Sequence, residues 1–309
     1  MADNKRIDEK TGISTVGHEW DGIEELDTPM PRWWLWTFYG TIVFAIAYCV
    51  AYPAWPLISG ATEGVLGWSS RGELQRELAA ERDRRAPVIK ALAATPIEQL
   101  PNNPQLFAAA VEGGRSAFKV HCAACHGAGA AGSKGYPNLN DDDWLWGGDL
   151  ATIQQTLAHG IRQPGDDATR QSQMPAFGRD QLLKPEEIED VVSWVRFVSR
   201  QEPAGASAKR GAALFANNCA ACHGDNAKGN RAMGAPNLTD QIWLYGGDRT
   251  ALSETITNAH GGIMPAWGKQ LDAVTIKMLA AYVHSLGGGE ATPPAAQVAA
   301  APAAPAKPQ

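Results

Sequence analysis

Two segments of this chain repeat the same five sequence blocks in the same order, and this repeat constrains the fold more than any other feature. The first copy has CAACHG from Cys122, PNL from Pro137, WLWGGD from Trp144, HG from His159 and MPAFG from Met174. The second has CAACHG from Cys219, PNL from Pro236, WLYGGD from Trp243, HG from His260 and MPAWG from Met264. The sequence therefore predicts two related modules of about 85–95 residues each.

Each module is expected to be small and mainly helical. Apolar spacing and stop signals predict helices over Gln105–Val120, Leu150–His159, Pro185–Ser199, Ala208–Asn217, Ala251–Ala259 and Leu271–Leu286. Asp149 and Asp248 are candidate N-caps, and no strand alternation is evident. Such small modules have little core of their own, so a large apolar cofactor would supply the missing interior.

The two C-x-x-C-H motifs carry the chemistry. This spacing is the attachment signature of c-type haem, in which two thiols bond the porphyrin vinyl groups and the histidine binds the iron. The residues concerned are Cys122, Cys125 and His126, and Cys219, Cys222 and His223. A zinc ribbon would need further paired ligands, and a dithiol redox pair would not explain the histidine in both copies. The prediction is two covalently bound haem c groups.

The sixth iron ligand is sought in the second half of each repeat. Met174 and Met264 begin matching Met-Pro-Ala-aromatic-Gly blocks, and thioether sulfur with histidine is a common haem ligand set. Met233 is a weaker rival, and Met278 is expected in the core. His159 and His260 are alternative ligands or, preferably, donors in the haem environment, where Trp144 and Trp243 are also expected. Two filled axial positions favour electron transfer over substrate chemistry.

A membrane anchor is expected near the N-terminus. Trp33–Thr62 contains no charged residue, and Trp33–Tyr52 is long enough to cross a ~30 Å hydrocarbon core as a helix. Aromatic residues cluster at both ends, as at membrane interfaces. A buried soluble helix and a cleaved signal peptide are the less favoured interpretations.

The remaining segments complete the expected organisation. We predict a cytoplasmic arm over 1–32, an anchor over 33–57, a partly helical linker over 58–104, haem modules over 105–202 and 206–288, and a disordered Ala/Pro tail over 289–309. Haem c is attached outside the bacterial inner membrane, so the modules should be periplasmic and the N-terminus cytoplasmic. The net charge of −6 argues against nucleic acid as a partner.

Residues 17–57, GHEWDGIEELDTPMPRWWLWTFYGTIVFAIAYCVAYPAWPL, resemble the N-terminal anchor of the dihaem subunit III, or P subunit, of cbb3-type cytochrome c oxidases. The tandem modules are similar to the same family. The resemblance implies a non-catalytic subunit that accepts electrons from a donor cytochrome c. It would pass them to the monohaem subunit and then to the catalytic subunit, which reduces oxygen to water and pumps protons.

By the same resemblance, Met174 and Met264 complete the iron coordination. Met174 lies 48 residues after His126 and 49 before His223, so sequence separation leaves open which methionine serves which haem. A free-standing membrane-tethered electron shuttle, or the cytochrome subunit of a periplasmic dehydrogenase, is the alternative function. The distinctive N-terminal arm favours the oxidase subunit, because a simple anchor needs no such arm.

Overall fold

The computed structural model describes residues 5–291 and consists mainly of helices. The helices are α1 Arg32–Ala51, α2 Ser70–Ala94, α3 Pro104–His121, α4 Ala123–His126, α5 Leu150–His159, α6 Pro185–Val198, α7 Ala206–Asn218, α8 Ala220–His223, α9 Arg249–Asn258 and α10 Ala273–His284. The strands are β1 Thr15–Trp20, β2 Ile23–Leu26, β3 Pro56–Leu57 and β4 Gly60–Ala61. The chain forms two compact units, 1–84 and 85–309, and most of the predicted tail lies outside the described residues.

The N-terminal unit contains two short hairpins that sequence reasoning missed. Strands β1 and β2 pair antiparallel, with Trp20 opposite Ile23. Asp21 and Gly22 connect them, and both have positive φ, which is the two-residue turn that matches the twist of a hairpin. The strand register is irregular between Thr15 and Glu19, so the apolar and polar residues do not alternate cleanly along β1.

Helix α1 is the one described helix that is long and apolar enough to cross a membrane. It begins after Pro31, which cannot donate a backbone hydrogen bond, and ends at Ala51, just before Pro53. None of its side chains is buried within the protein. The helix is therefore a candidate membrane span.

The second unit contains two larger cores, each of which combines both sequence repeats, and a smaller cluster of Leu92, Leu100, Ala110 and Ala281. In the first core, Phe118, Cys122 and Leu150 pack with Leu279 and Val283. These contacts join α3 and α5 of repeat one to α10, the closing helix of repeat two. In this core, α10 therefore takes the place expected for the closing helix of repeat one, α6.

The second core shows the reciprocal exchange. Val191 and Val192 on α6, the closing helix of repeat one, pack with Leu252 and Ile256 on α9 of repeat two. Helix α6 also packs along α7, which opens repeat two. The two repeats thus exchange their closing helices, while each keeps its own cysteine motif.

Two glycines permit the closest helix contacts. Gly114 on α3 and Gly211 on α7 each stand eight residues before the first cysteine of their motif. A β-carbon at Gly114 would overlap the carbonyl group of Met278, and one at Gly211 would overlap that of Asp190. The backbones of α3 and α10, and of α6 and α7, therefore touch at points where no side chain fits.

Polar contacts support the pairing of α6 with α7 and join α10 to the end of α2. Arg210 on α7 donates two hydrogen bonds, at 2.6 and 2.7 Å, to the mostly buried Asp190 carboxylate on α6, and the pairing lowers the pKa of Asp190. Lys277 on α10 is buried, and its Nζ donates to the carbonyls of Leu92 and Thr95, each at 2.6 Å, at the end of α2. These bonds satisfy charged groups that would be costly to bury alone.

The predicted N-caps are present in both repeats. The Asp149 side chain accepts a hydrogen bond from the Thr152 amide at 3.1 Å, and Asp248 accepts one from the Ala251 amide at 3.0 Å. Each cap fixes the start of the helix that follows the WLWGGD or WLYGGD block. The loop that carries the block is therefore anchored at its C-terminal end.

The beginning of the predicted Ala/Pro tail is ordered. Arg231 donates two hydrogen bonds to the carboxylate of Glu290, at 2.9 and 2.7 Å. The same carboxylate accepts from the Gly148 amide at 2.8 Å, and His284 contacts the Glu290 carbonyl at 2.9 Å. Residue 290 therefore links both repeats.

Candidate functional sites between the two repeats

Each C-x-x-C-H motif forms one helical turn directly after a longer helix. The Cys122 amide donates to the Phe118 carbonyl at 2.8 Å, and the Cys219 amide makes the same bond to Phe215. The helix direction changes at the cysteine, and the short helices α4 and α8 follow. Both cysteines and the histidine of each motif are therefore held on one compact turn, as two thioether bonds and an axial ligand require.

The two motif histidines are oriented in the same way. Nδ1 of His126 lies 3.1 Å from the carbonyl of Pro137, and Nδ1 of His223 lies 3.1 Å from that of Pro236. Donation from Nδ1 leaves Nε2 as the free ligand atom and fixes the ring plane. Burial lowers the pKa of both imidazoles, with the proline carbonyls opposing, so the neutral ligand form is favoured.

The first thiol of each motif is poorly suited to dithiol redox chemistry. Burial, with a smaller contribution from the neighbouring thiol, raises the pKa of Cys122 and of Cys219 to about 11. A redox-active cysteine pair depends on a thiol whose pKa is lowered. The environment therefore argues against the redox-pair interpretation of these motifs.

The two Met-Pro blocks lie against the opposite repeat. Met264 packs on the first core, which contains Cys122, and Met174 packs on the second core beside Cys219. Met264 also pairs with Ile161 through two backbone hydrogen bonds, each 3.0 Å long. Each methionine thus packs on a core to which a motif cysteine of the other repeat also belongs.

Backbone contacts hold both blocks at the C-terminal ends of helices. In one site the Phe177 amide donates to the Ile256 carbonyl at 3.0 Å, at the end of α9. In the other, Gly160 follows α5 with φ +68°, and a β-carbon there would overlap the Met264 carbonyl. The glycine of the HG dipeptide in repeat one thus allows the backbone of Met264 to approach the end of α5 closely.

The predicted haem-environment histidines have carboxylate partners. Nδ1 of His159 lies 3.2 Å from the carboxylate of Asp166, and Nε2 of His260 lies 2.7 Å from that of Glu254. His260 also stacks on Tyr245, with ring centroids 4.0 Å apart. A role for either histidine at a haem stays a prediction.

The tryptophans of the repeated blocks differ in their hydrogen bonding. Nε1 of Trp144 donates to the Gly288 carbonyl at 2.5 Å. The Nε1 atoms of Trp146 and Trp243 are buried and have no hydrogen-bond partner among residues 5–291. Buried donors are rarely left unpaired in native proteins, so both point to an acceptor supplied by a bound group. Sequence reasoning singled out Trp243 but missed Trp146, whose counterpart in the second repeat is Tyr245.

These observations fit a haem at each motif. The thiols, oriented histidine and nearby methionine match its attachment and iron ligation, and Trp243, beside Cys219 and Met174 in the second core, has a free donor that suits a haem propionate. Met233 is exposed and stands apart from both cores, and Met278 packs with Leu92 and Leu100 in the protein interior.

Comparison with known families assigns the chain. Residues 109–195 and 206–283 match the family described as cytochrome c oxidase, cbb3-type, subunit III, and residues 12–59 match the N-terminal domain of cytochrome oxidase-cbb3, FixP. The chain belongs to the cbb3-type oxidase subunit III family. The predictions of two tandem cytochrome domains, of an N-terminal candidate membrane helix and of this family are therefore confirmed.

Individual members of the family are similar over nearly their whole length. The chain is 55% identical over 294 residues to the cbb3-type cytochrome c oxidase subunit FixP of a Bradyrhizobium species, covering 94% of this chain and all of the relative. It is 54% identical over 285 residues to FixP of Azorhizobium caulinodans, covering 92% and 96%. It is 52% identical over 276 residues to subunit CcoP of Cereibacter sphaeroides, covering 89% and 95%. The cytochrome domains of the family imply c-type haem binding.

Proposed function

We propose that this subunit carries two covalently bound haem c groups and relays electrons from a donor cytochrome c towards the monohaem and catalytic subunits of a cbb3-type oxidase. The family match supports the oxidase assignment. The single observation that best supports the relay is that a half-buried methionine packs on the same core as a cysteine of each histidine-bearing motif. Oxygen reduction would take place in another subunit.

The axial ligands are exchanged between the repeats in this proposal. His126 and Met264 would hold one iron, and His223 and Met174 would hold the other. Cys122 and Cys125 attach the first haem, and Cys219 and Cys222 attach the second. When bound, each haem supplies a one-electron carrier, and protein ligands on both sides of the iron leave no open position for oxygen or peroxide.

The remaining proposed features concern the membrane. Covalent haem c attachment takes place on the periplasmic side of the bacterial inner membrane. The modules would therefore be periplasmic, with α1 as a single span and residues 1–32 in the cytoplasm. The sequence units proposed for the modules are 105–202 and 206–288, although each folded core takes helices from both.

Purification in mild detergent through a tag after residue 309 tests the oxidase assignment. We expect two haem c per chain, together with haem b and oxygen uptake driven by reduced cytochrome c. The control is the same preparation from cells without the tag. Haem c alone from intact membranes, with no oxygen uptake, would favour the free-standing shuttle or a dehydrogenase partner.

The hairpin of the N-terminal arm is proposed to dock on another oxidase subunit. Trp20 and Ile23 are neighbours across β1 and β2, and their side chains are 72% and 70% exposed. An exposed aromatic and aliphatic pair at a hairpin end suits a protein contact. Nothing in the hairpin bears on haem attachment.

Deletion of residues 17–27 should release the subunit from the oxidase while both haems remain attached. The sharper variant is Trp20→Ala with Ile23→Ala, which we expect to lower co-purification of the catalytic subunit at least ~10-fold, since buried aromatic anchors contribute most to interfaces. His18→Ala, at an exposed position on β1, is the matched control. Unchanged co-purification of both the deletion and the double variant would contradict docking through this hairpin.

A further inference from the structure

Repeat one contains an insert, Ile161–Gln173, that has no counterpart in repeat two. A backbone hydrogen bond from the Arg162 amide to the Arg170 carbonyl at 2.8 Å closes the insert on itself, and one from the Arg170 amide to the Gly160 carbonyl at 3.2 Å ties it to the end of α5. Both arginines are half-buried. The insert therefore brings two positive charges into the region where the repeats meet.

Neither guanidinium forms an ion pair with a carboxylate of residues 5–291. Arg162 donates to the carbonyls of Gly262 at 2.6 Å and Ser172 at 3.1 Å. Its contacts are thus neutral acceptors. Burial lowers its pKa, because the charged form loses water without gaining an anion.

The hydrogen-bond acceptors around Arg170 are also uncharged. Its guanidinium donates to Thr156 Oγ1 at 2.8 Å and to Gln155 Oε1 at 3.2 Å, both on α5. Asp149 favours the charge only from beyond ion-pair distance, and burial again lowers the pKa. Buried charges are normally paired with an opposite charge, so these two half-buried guanidinium groups, which have no carboxylate partner among residues 5–291, are candidates to bind an anion.

A second observation stands beside Arg170. Its guanidinium carbon lies 5.1 Å from the centre of the Trp146 ring, whose buried Nε1 donor is unpaired within residues 5–291. The ring edge next to Nε1 lies against Gly234 of repeat two, where a β-carbon would overlap Cζ2 and Cε2 of Trp146. A guanidinium without a carboxylate partner and an N–H donor without an acceptor therefore lie close together.

These groups contact two loops of repeat two that belong to the proposed haem sites. Gly234 precedes by two residues Pro236, whose carbonyl orients His223. Gly262, which accepts from Arg162, precedes Met264 by two residues. Trp146, with Arg170 over its ring, thus contacts the loop that leads to Pro236, and Arg162 contacts the segment that leads to Met264.

We propose that the insert supplies one guanidinium to each haem site, Arg162 to the His126 haem and Arg170 to the His223 haem, where each forms an ion pair with a haem propionate. Trp146 donates its indole N–H to the propionate that Arg170 binds. The inference rests on the proposed dihaem function. It identifies three side chains that recognise the carboxylates of the cofactor rather than its iron.

The ion pairs also have a redox consequence. Reduction removes one positive charge from the iron, so a nearby guanidinium stabilises the reduced state relative to the oxidised state. Loss of the guanidinium should therefore make reduction less favourable. Because the two arginines belong to different sites, each loss should act mainly on one haem.

The test uses the full-length holoprotein and a redox titration that resolves both haems. We expect Arg162→Gln and Arg170→Gln each to lower the equilibrium constant for reduction of a different haem about tenfold, which is about 59 mV for one electron. Arg170→Lys, which keeps the charge, should restore most of the potential. Trp146→Phe, which keeps the ring and loses the donor, should lower the same potential as Arg170→Gln by a smaller amount.

Arg115→Gln is the matched control, since it removes the same charge from an exposed position on α3. Potentials that move no more than in this control, or a lysine variant that behaves like the glutamine variant, would overturn the inference. Haem content and the visible spectrum are measured on every variant. A wild-type protein without two six-coordinate haem c groups would instead refute the proposed function.

Discussion

The variant Met264→Ala should lose an axial ligand from the haem attached at Cys122 and Cys125, although Met264 belongs to the other sequence repeat. The methionine packs on the core that contains Cys122, and its backbone pairs with Ile161 of repeat one. Loss of thioether ligation should lower that haem's potential on the order of 0.1 V, within the ~0.8 V range that axial ligands control. Potentiometric titration should show one shifted haem and one unchanged haem.

Single-haem backgrounds identify which haem has lost its ligand. With Cys219→Ala and Cys222→Ala, only the His126 haem remains, and Met264→Ala should shift it while Met174→Ala should not. Met278→Leu is the matched control, because this methionine is core packing beside Leu92 and Leu100. A shift caused by Met174→Ala in this background would mean that each repeat ligates its own haem.

Gly114→Ala should destabilise the second unit, which carries both cysteine motifs, by ~3 kcal/mol, at the upper end of the cost of overpacking a tight interior. Alanine is intrinsically favoured over glycine in a helix by ~1 kcal/mol, so a loss of stability isolates the packing effect. The new β-carbon would overlap the Met278 backbone carbonyl, and only separation of α3 from α10 can relieve this. Thermal unfolding of the holoprotein, followed by haem absorbance, should show a midpoint roughly 10 °C lower.

The adjacent Gly113→Ala supplies the control. Its β-carbon would meet only the flexible thioether end of Met278, which can move aside. We expect a midpoint within ~2 °C of the wild type, since a small gain in helix propensity offsets the rearrangement. Equal losses in both variants would show that helix contact at Gly114 is not the cause.

The features that the sequence predicts well are those governed by local rules. The helices of both repeats begin and end within a few residues of their predicted limits, because caps such as Asp149 and Asp248 act over one turn. The cysteine motifs are equally local, since each forms a single helical turn that holds its two thiols and its histidine together. The anchor is visible because twenty residues without charge have few other uses.

The exchange of closing helices could not be predicted from the sequence, because Met174 lies almost midway between His126 and His223. Its physical origin lies in the connection between α6 and α7, which is only the seven residues 199–205. Consecutive helices joined by a short loop generally pack side by side, so α6 pairs with the helix after it rather than with α3. Helix α10 then fills the place left in the first core.

The sequence did not predict the role of the two insert arginines, Arg162 and Arg170, for a different reason. Motif comparison relies on features present in both copies, whereas Arg162, Arg170 and Trp146 have no identical counterparts in repeat two. Their importance depends on burial and on missing partners, which only three-dimensional contacts reveal.

The reciprocal exchange of helices has a consequence for biogenesis. A chain emerging from the ribosome would present the first cysteine motif long before α10, which completes the surrounding core, has been synthesised. A nascent or truncated chain ending after repeat one would therefore expose an unfinished apolar surface, and maturation of both halves must await the C-terminal helix. The two halves of this subunit accordingly cannot be inherited, expressed or replaced as independent parts without rebuilding both interiors.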